Sequence, residues 1–365
     1  MSHILQVVLK TTLALIEQFQ SSLSTAQPNS GPATSEENQN LDPVPLLSAS
    51  TTALKSHVTK LSLLAINSPF TPSAVATTLS TLNESVLPSL VTAALLVTPE
   101  SHTRAFQSEI RVLTGTALKE LSLLVKEVQV IAEEKADKKD LEQAEKDAVT
   151  AVAGRVWGAC DVLVDVAAKG VVGFVVRRAQ EYRDLVRDAV EEIEEWDPDE
   201  DGDEFFDGLL DDGDKYEAGS DGEEDEECDD EESSAALHAQ KKIALRILKP
   251  IAQIYPAIIA NRLQRVPVPL APSNIGILDS VLKSLQQIPD HIDEVAGALY
   301  EADFDKYTRQ IRKTKESAFN AIELVVQPWD LKQTANDREN QGDKFTAWSK
   351  TWTKVIEEVS KSIDV

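Results

Sequence analysis

The sequence predicts an all-α protein made of helical bundles and interrupted by one long acidic insert. Apolar residues recur at three- and four-residue steps nearly throughout, and no stretch alternates in the manner of a half-buried strand. Charge is the third observation, because residues 191–232 hold 25 Asp and Glu against a single base, Lys215. The other 37 acids and 35 bases nearly cancel, so the expected folded part is close to neutral.

The helical period is clearest in three long stretches. Residues 99–135, 171–196 and 343–362 each carry one apolar stripe with polar residues on the other face. Shorter stripes predict further helices in residues 1–26, from Leu46 to about 67, in 141–170, and near 233–262, 274–300 and 303–327. About ten helices with mostly short connections are typical of helical bundles.

Proline, glycine and polar residues mark the predicted helix boundaries. Thr98 is the predicted N-cap of the long helix over 99–135, because Pro99 follows at the first helical position. The stretch AAKG at 167–170 predicts the end of one helix before the next begins at 171. Residues 27–45 read as a polar linker, and VPVPLAP at 266–272 breaks the C-terminal helices.

The acidic insert sets the predicted domain organisation. Residues 1–196 are expected to form an N-terminal helical bundle, 197–232 a disordered acidic linker, and 233–365 a C-terminal helical region. Whether the two helical parts share one core stays open. Ser220 is a phosphorylation candidate, because Glu223 follows three residues later and acid-directed kinases favour that context.

Motifs that would indicate an enzyme, a cofactor site or a metal site are missing from the sequence. It contains no HExxH, GxSxG or CxxC motif and no phosphate-cradling glycine loop, and its five histidines are scattered. DPDEDGDEFFDG at 197–208 begins like a calcium-binding loop but has Gly208 where a bidentate glutamate is needed. Cys160, next to Trp157 on an apolar helix, is expected to be a buried, inert thiol. We therefore predict no catalytic residue, no cofactor and no metal.

Composition also bears on the cell compartment and on the partners. Two cysteines, Cys160 and Cys228, fit a reducing compartment, and the N-terminus lacks the basic region of a signal peptide. The apolar window 87–97 has about half the length needed to span a bilayer. Basic clusters are short, and the acidic insert would repel a polyanion. We predict a soluble intracellular protein that binds neither membranes nor nucleic acid directly.

Three segments carry a resemblance to a known family. They are RVWGACDVLVDVAAKGVVGFVVRRAQEYRDLVRDAVEEIEEW at 155–196, HIDEVAGALYEADFD at 291–305, and FTAWSKTWTKVIEEV at 345–359. On these segments the chain resembles the GCIP-like cyclin-D-binding protein family. The resemblance implies a bundle architecture like that of vinculin and α-catenin, and partners that are D-type cyclins or helix-loop-helix transcription factors. It also implies action in nucleus and cytoplasm without catalytic residues. A denser acidic insert and the proline-rich stretch 266–272 depart from the family.

Two groups of residues are the candidates for partner contact. Tyr182, Val186, Ile193 and Trp196 form a stripe that leads into the acidic insert, and Trp348 and Trp352 lie one turn apart in the last helix. Helical bundles bind partner helices in a groove between two of their own helices, or by releasing one helix. The alternative is that these six are ordinary core residues, and the sequence leaves that choice open.

Three functions are compatible with the sequence. The first is a protein-interaction regulator that binds cyclin-like or helix-loop-helix partners and restrains the cell cycle or transcription. The second is an acidic chaperone of basic, histone-like proteins that acts through 197–232. The third, a cytoskeletal adaptor, rests on fold analogy alone. Salt dependence distinguishes the first two functions, because the capture of basic proteins by the acidic insert should weaken steeply as ionic strength rises.

Overall fold

The computed structural model describes residues 2–25, 42–134, 142–199, 226–329, 343–361 and 363. Over these residues the chain is helical and forms no β-strand, which confirms the predicted all-α class. It divides into two compact units. Unit 1 is Met1–Phe174 with Ala271–Gly276, and unit 2 is Val175–Leu270 with Ile277–Val365. The predicted domain limits at 196 and 233 stay a prediction. Ser220 and most of the predicted acidic linker lie outside the described residues.

Unit 1 is a set of helices whose apolar stripes face one another. Helix α1 packs against α3 and α6, while α2 packs against α4 and α6. Asp42 begins α2 by accepting a hydrogen bond from the Val44 amide at 3.0 Å, as N-cap residues do. The elements are α1 His3–Thr25, α2 Pro43–Ile66, α3 Pro72–Thr81, a π-helical turn Leu82–Val86, α4 Leu87–Leu96, α5 Pro99–His102, α6 Arg104–Glu134 and the first part of α7 Gln143–Glu195.

The start of the long helix differs from the prediction. Thr98 does precede a helix that begins at Pro99, but this helix, α5, is a single turn and the Thr98 side chain makes no capping hydrogen bond. Thr103 has a φ of 75°, outside the helical region, so the long helix α6 begins only at Arg104. The cap is instead the hydroxyl of Thr103, which accepts from the Phe106 amide at 3.2 Å.

Helix α7 shows what the stretch AAKG does at 167–170. Two helical segments meet there without a connecting loop, at a kink where Gly170 has φ 63° and ψ −168°. That combination is essentially restricted to glycine, because a Cβ atom would clash with the backbone. The predicted end of one helix and start of the next are thus both at this kink. Beyond it, α7 continues to Glu195 with one buried stripe.

Unit 2, over its described residues, contains the second part of α7 and five further helices. Helix α8 packs against α9, α11 and α12, and α11 also packs against α9 and α12. Apolar residues at helical spacing fill the core, among them Val186, Ile247, Ile258, Leu285 and Ile322. The elements are α8 Glu226–Ala252, α9 Ile254–Asn261, a 3₁₀ turn Leu263–Arg265, α10 Pro272–Tyr300, α11 Phe304–Val325 and α12 Lys344–Val359.

Within the described residues, two helical stretches are long and apolar enough to match a membrane span by length and composition. They are Pro72–Leu96 in unit 1 and Ser234–Arg265 in unit 2. In each, 44% of the most apolar window is buried inside the protein. Both also pack against neighbouring helices of their own unit, as core helices of a bundle do. Their apolar residues therefore have an explanation in the packing of the units.

Candidate partner-binding surface

The four residues predicted on α7 divide between core and surface. Val186 and Ile193 are fully buried in unit 2, whereas Tyr182 and Trp196 are half-buried. The Trp196 ring packs edge to face on Tyr300, with ring centroids 4.9 Å apart. In this conformation the Trp196 side chain is partly accessible from solvent, whereas Val186 and Ile193 would become accessible only if α7 moved. The predicted role of the four in partner binding stays a prediction.

The two tryptophans of α12 also differ in exposure. Trp352 is 5% exposed, its indole Nε1 donates to the Pro250 carbonyl at 2.8 Å, and its ring meets Phe319 edge to face. Trp348 is half-buried and lies between the rings of Phe345 and Trp352, at centroid distances of 5.5 and 6.3 Å. Trp352 therefore holds α12 to α8 and α11, and Trp348 is the more exposed member of the pair. The predicted role of the two in partner binding stays a prediction.

Arg262 organises the start of α12, and no local pattern in the sequence points to it. Its guanidinium is 2% exposed and donates to the carbonyls of Val325 and Val326, at 2.6 and 2.9 Å. It also donates to both carboxylate oxygens of Asp343, at 2.6 and 3.0 Å, and lies 4.3 Å from the Phe345 ring centroid. These hydrogen bonds hold the pKa of Asp343 at about 2, because they favour the ionised carboxylate. We call Arg262, Asp343, Phe345 and Trp352 the α12 anchor.

A second group of side chains gathers where α7 and α10 end. The Tyr300 hydroxyl at the end of α10 donates a hydrogen bond to Glu192 of α7 at 3.0 Å, and the Tyr300 ring packs against the Trp196 ring. Tyr300 is 42% exposed, and Asp293 and Gly297 precede it by two turns and one turn on α10. We call Glu192, Trp196, Asp293, Gly297 and Tyr300 the α7–α10 face. The face combines partly exposed aromatic rings with carboxylates.

The α7–α10 face is electrostatically negative. Partial burial raises the pKa of Asp293, and the carboxylates of Asp290, Glu192 and Glu294 raise it further by repulsion. Burial and the hydrogen bond to Glu192 raise the pKa of Tyr300 to about 12, so its hydroxyl stays a neutral donor at physiological pH. Lys306 supplies positive charge at one edge, 3.3 Å from Glu294 and 3.4 Å from Glu301.

The negative charge continues past the end of α7 into the acidic insert. Asp199 accepts a hydrogen bond from the Ser234 hydroxyl, and His238 Nε2 lies 3.0 Å from its other carboxylate oxygen. The carboxylate oxygens of Asp197 and Asp199 and a ring nitrogen of His238, which are atoms able to bind a metal ion, lie within 4.8 Å of one another. All three side chains are exposed. Asp199 and His238 are already hydrogen bonded to each other, so these side chains form a surface network. This network connects the start of the insert to α8.

The remaining candidate for reactivity is Cys160. It is a free, buried cysteine in α7, and burial raises the pKa of its thiol to about 12. The thiol therefore stays protonated at physiological pH, whereas nucleophilic cysteines need a thiolate. The prediction that Cys160 is buried is confirmed.

Comparison with known families adds one finding. Residues 46–199 match the family model described as Grap2 and cyclin-D-interacting, N-terminal. The match confirms the resemblance over residues 155–196 and does not extend to 291–305 or 345–359. The matched residues run from within α2 to just past α7, so they include Glu192 and Trp196 but not Asp293, Gly297 or Tyr300. No curated protein matches the chain.

Proposed function

We propose that the protein is a non-enzymatic interaction protein that binds a cyclin-like or helix-loop-helix partner and so restrains the cell cycle or transcription. The observation that carries this is the match of residues 46–199 to a domain whose description names cyclin D. Binding would remove the partner from its other complexes, which requires a surface and no chemistry. We expect the protein in both cytoplasm and nucleus, where such partners act.

The structure supports a binding role through the surfaces that it exposes. Partly exposed aromatic rings in the described part of unit 2 include Trp196 with Tyr300 on the α7–α10 face, and Trp348 beside the α12 anchor. Aromatic side chains of this kind are enriched at interfaces, because they bury a large area at low conformational cost. The buried residues Val186, Ile193 and Trp352 keep the supporting helices fixed. A partner helix would therefore meet a preformed surface.

Affinity capture with mass spectrometry tests the proposal. The bait is the full chain, next to a variant of equal length in which the 13 Asp and Glu of residues 200–225 become Asn and Gln. Each is washed at low and at high salt. We expect a D-type cyclin or a helix-loop-helix factor on both baits after both washes, because an apolar interface is not screened by salt. If neither class of protein is captured by either bait, the proposal is wrong.

The acidic insert supports a second candidate, a chaperone of basic proteins. Residues 191–232 carry 25 acids and one base, which is enough to attract histone-like proteins at low ionic strength. The same experiment separates this function from the first. Capture of basic proteins that disappears with the neutralised insert, or with the high-salt wash, would assign the binding to the insert.

A further inference from the structure

We propose that the α7–α10 face is a docking site for a basic amphipathic helix of a partner protein. The helix would place an arginine or lysine over the Trp196–Tyr300 pair and its apolar side chains along α7. This inference rests on the proposed function, because it names the chemistry of the partner that the interaction protein would bind.

The aromatic end of the face provides the first reason. Trp196 and Tyr300 are already packed edge to face, so their rings are fixed before a partner arrives. Tyr300 is 42% exposed, and Phe304, the first residue of α11, is 36% exposed four residues later. Large aromatic side chains that are partly exposed to solvent can bind a guanidinium or ammonium group, because the cation is attracted to the negative face of the ring.

The charge of the face selects the partner. Glu192 and Asp293 lie close enough for Glu192 to raise the pKa of Asp293, and Asp290 and Glu294 add to the repulsion. A cationic side chain placed among these carboxylates would relieve that repulsion. Lys306 relieves part of it at the Glu294 edge, and the Lys241 ammonium is bonded to the Trp196 carbonyl. The carboxylates of Glu192 and Asp293 are the ones that a partner cation would meet.

The shape of the face admits a helix. Gly297 is half-buried between Asp293 and Tyr300, and the position of its missing Cβ faces open space within 4 Å. Leu185, which is 55% exposed, lies two turns before Glu192 on the same stripe of α7. From Leu185 to Trp196 the helix rises about 16 Å, which matches roughly three turns of a partner helix. Such helix-in-groove binding relies on apolar anchors at one-turn spacing.

Charge also argues against occupants from the protein itself. The acidic insert carries 13 Asp and Glu and one Lys over residues 200–225, so it would be repelled by Glu192 and Asp293. The same face of a second copy would bring its own carboxylates against these. A basic helix from another protein is the occupant that both the rings and the charges favour.

Fluorescence anisotropy with defined peptides tests the site on the full chain. The probe is an 18-residue labelled peptide with Leu at one-turn spacing and Arg on both flanks, and the comparison peptide has Gln in place of each Arg. We expect the Arg peptide to bind at least tenfold more tightly than the Gln peptide. Equal affinity for the two would overturn the selection by charge.

Variants of the chain then locate the binding. Glu192→Gln with Asp293→Asn is expected to weaken the Arg peptide about tenfold, and Trp196→Ala to weaken it by a similar factor. Glu17→Gln with Glu84→Gln is the matched control, because it removes two exposed carboxylates from unit 1 and should change affinity less than twofold. Thermal unfolding by circular dichroism shows that each variant is folded. Unchanged affinity in the folded Glu192/Asp293 and Trp196 variants would overturn the proposal.

Two further measurements distinguish binding at the α7–α10 face from binding by the acidic insert, and failure of the docking site from failure of the proposed function. If neutralising residues 200–225 abolishes peptide binding while the Glu192/Asp293 variant retains it, the insert binds the peptide and the docking site is wrong. If the Glu192/Asp293 variant still captures a cyclin or helix-loop-helix factor, the docking site is wrong and the proposed function stands. Loss of that capture in this variant, with capture kept by the Glu17/Glu84 control, supports both.

Discussion

Unit 2 contains two clusters of aromatic and charged residues that the fold treats in opposite ways. In the α12 anchor, Arg262 is neutralised by Asp343 and by backbone carbonyls, and Trp352 is closed off from solvent. On the α7–α10 face, carboxylates face other carboxylates and the rings of Trp196 and Tyr300 stay partly open. A cluster whose interactions are internally satisfied stabilises the fold, whereas one with unbalanced charge is suited to a partner. Substitutions can test this contrast directly.

The largest difference is expected between the tryptophans of the two clusters. Trp352→Ala removes a buried indole and its hydrogen bond to Pro250, and should lower the free energy of unfolding by about 3–5 kcal/mol. Trp196→Ala should cost only about 1–2 kcal/mol, because part of its side chain is already in contact with water in the folded protein. Urea unfolding followed by circular dichroism measures both. Equal losses would show that Trp196 is a core residue and would remove the contrast.

The next effect concerns the ion pair of the α12 anchor. Asp343→Asn leaves Arg262 buried without its carboxylate and should lower the free energy of unfolding by about 2–3 kcal/mol. Breaking a fully buried ion pair typically costs roughly 3–5 kcal/mol, and the loss here is smaller because Asp343 is partly exposed. Asp303→Asn is the matched control. Asp303 also caps a helix, by accepting from the Lys306 amide at 2.8 Å, and no ion pair to its side chain is present in the described structure. Its substitution should cost about 1 kcal/mol or less.

The same ion pair has a pH signature. The pKa of Asp343 falls from its ordinary value of 3.8 to about 2 in the folded protein, so the folded state binds this proton less readily than the unfolded chain. The contribution to stability is therefore complete above pH 3.8 and is lost as the pH falls through about 2. Wild type and Asp343→Asn should converge in stability over that window. A constant difference between them down to pH 2 would contradict the assignment.

How far the sequence predicts the fold is clear from α6 and α7. The stripes over 99–135 and 171–196 are long and regular, so the helical period alone identified these helices. The end points were harder to place. Thr98 with Pro99 has the residue types of a helix start, yet the chain turns again at Thr103 because tertiary packing decides where the long helix begins. Gly170 was recognised as a boundary, but the sequence does not say whether a glycine marks a loop or a kink.

How far the sequence predicts the candidate surface depends on long-range contacts. Trp196 and Trp352 both belong to apolar stripes, and the sequence could not tell which one is covered, because their exposure depends on helices far along the chain. Tyr300 is 108 residues from Glu192, and Arg262 is 81 residues from Asp343. No local pattern signals such pairs. The stripe into the insert and the two α12 tryptophans were found, while Arg262, Asp293 and Tyr300 were missed.

A smaller effect is expected from the hydrogen bond within the α7–α10 face. Tyr300→Phe keeps the ring that packs on Trp196 but removes the 3.0 Å hydrogen bond to Glu192. The expected loss of stability is about 0.5–1 kcal/mol, because the bond is exposed and water can replace it. Binding of the arginine peptide should be kept or slightly strengthened, since Glu192 then has no competing donor. A loss of several kcal/mol would place Tyr300 among the structural residues.

The smallest expected change has the opposite sign. Asp293 has a raised pKa in the folded protein, so its ionised form is disfavoured there and its contribution to stability increases as the pH falls through that pKa. At neutral pH, Asp293→Asn should therefore leave stability unchanged or raise it by a few tenths of a kcal/mol, while peptide binding weakens. Thermal unfolding and anisotropy on the same sample measure the two effects. A variant that loses binding while it gains stability is the behaviour of a surface shaped for a partner, because the carboxylate that strains the free protein is the one that a cation satisfies. If Asp293→Asn instead destabilised the protein, its carboxylate would belong to the fold, as that of Asp343 does.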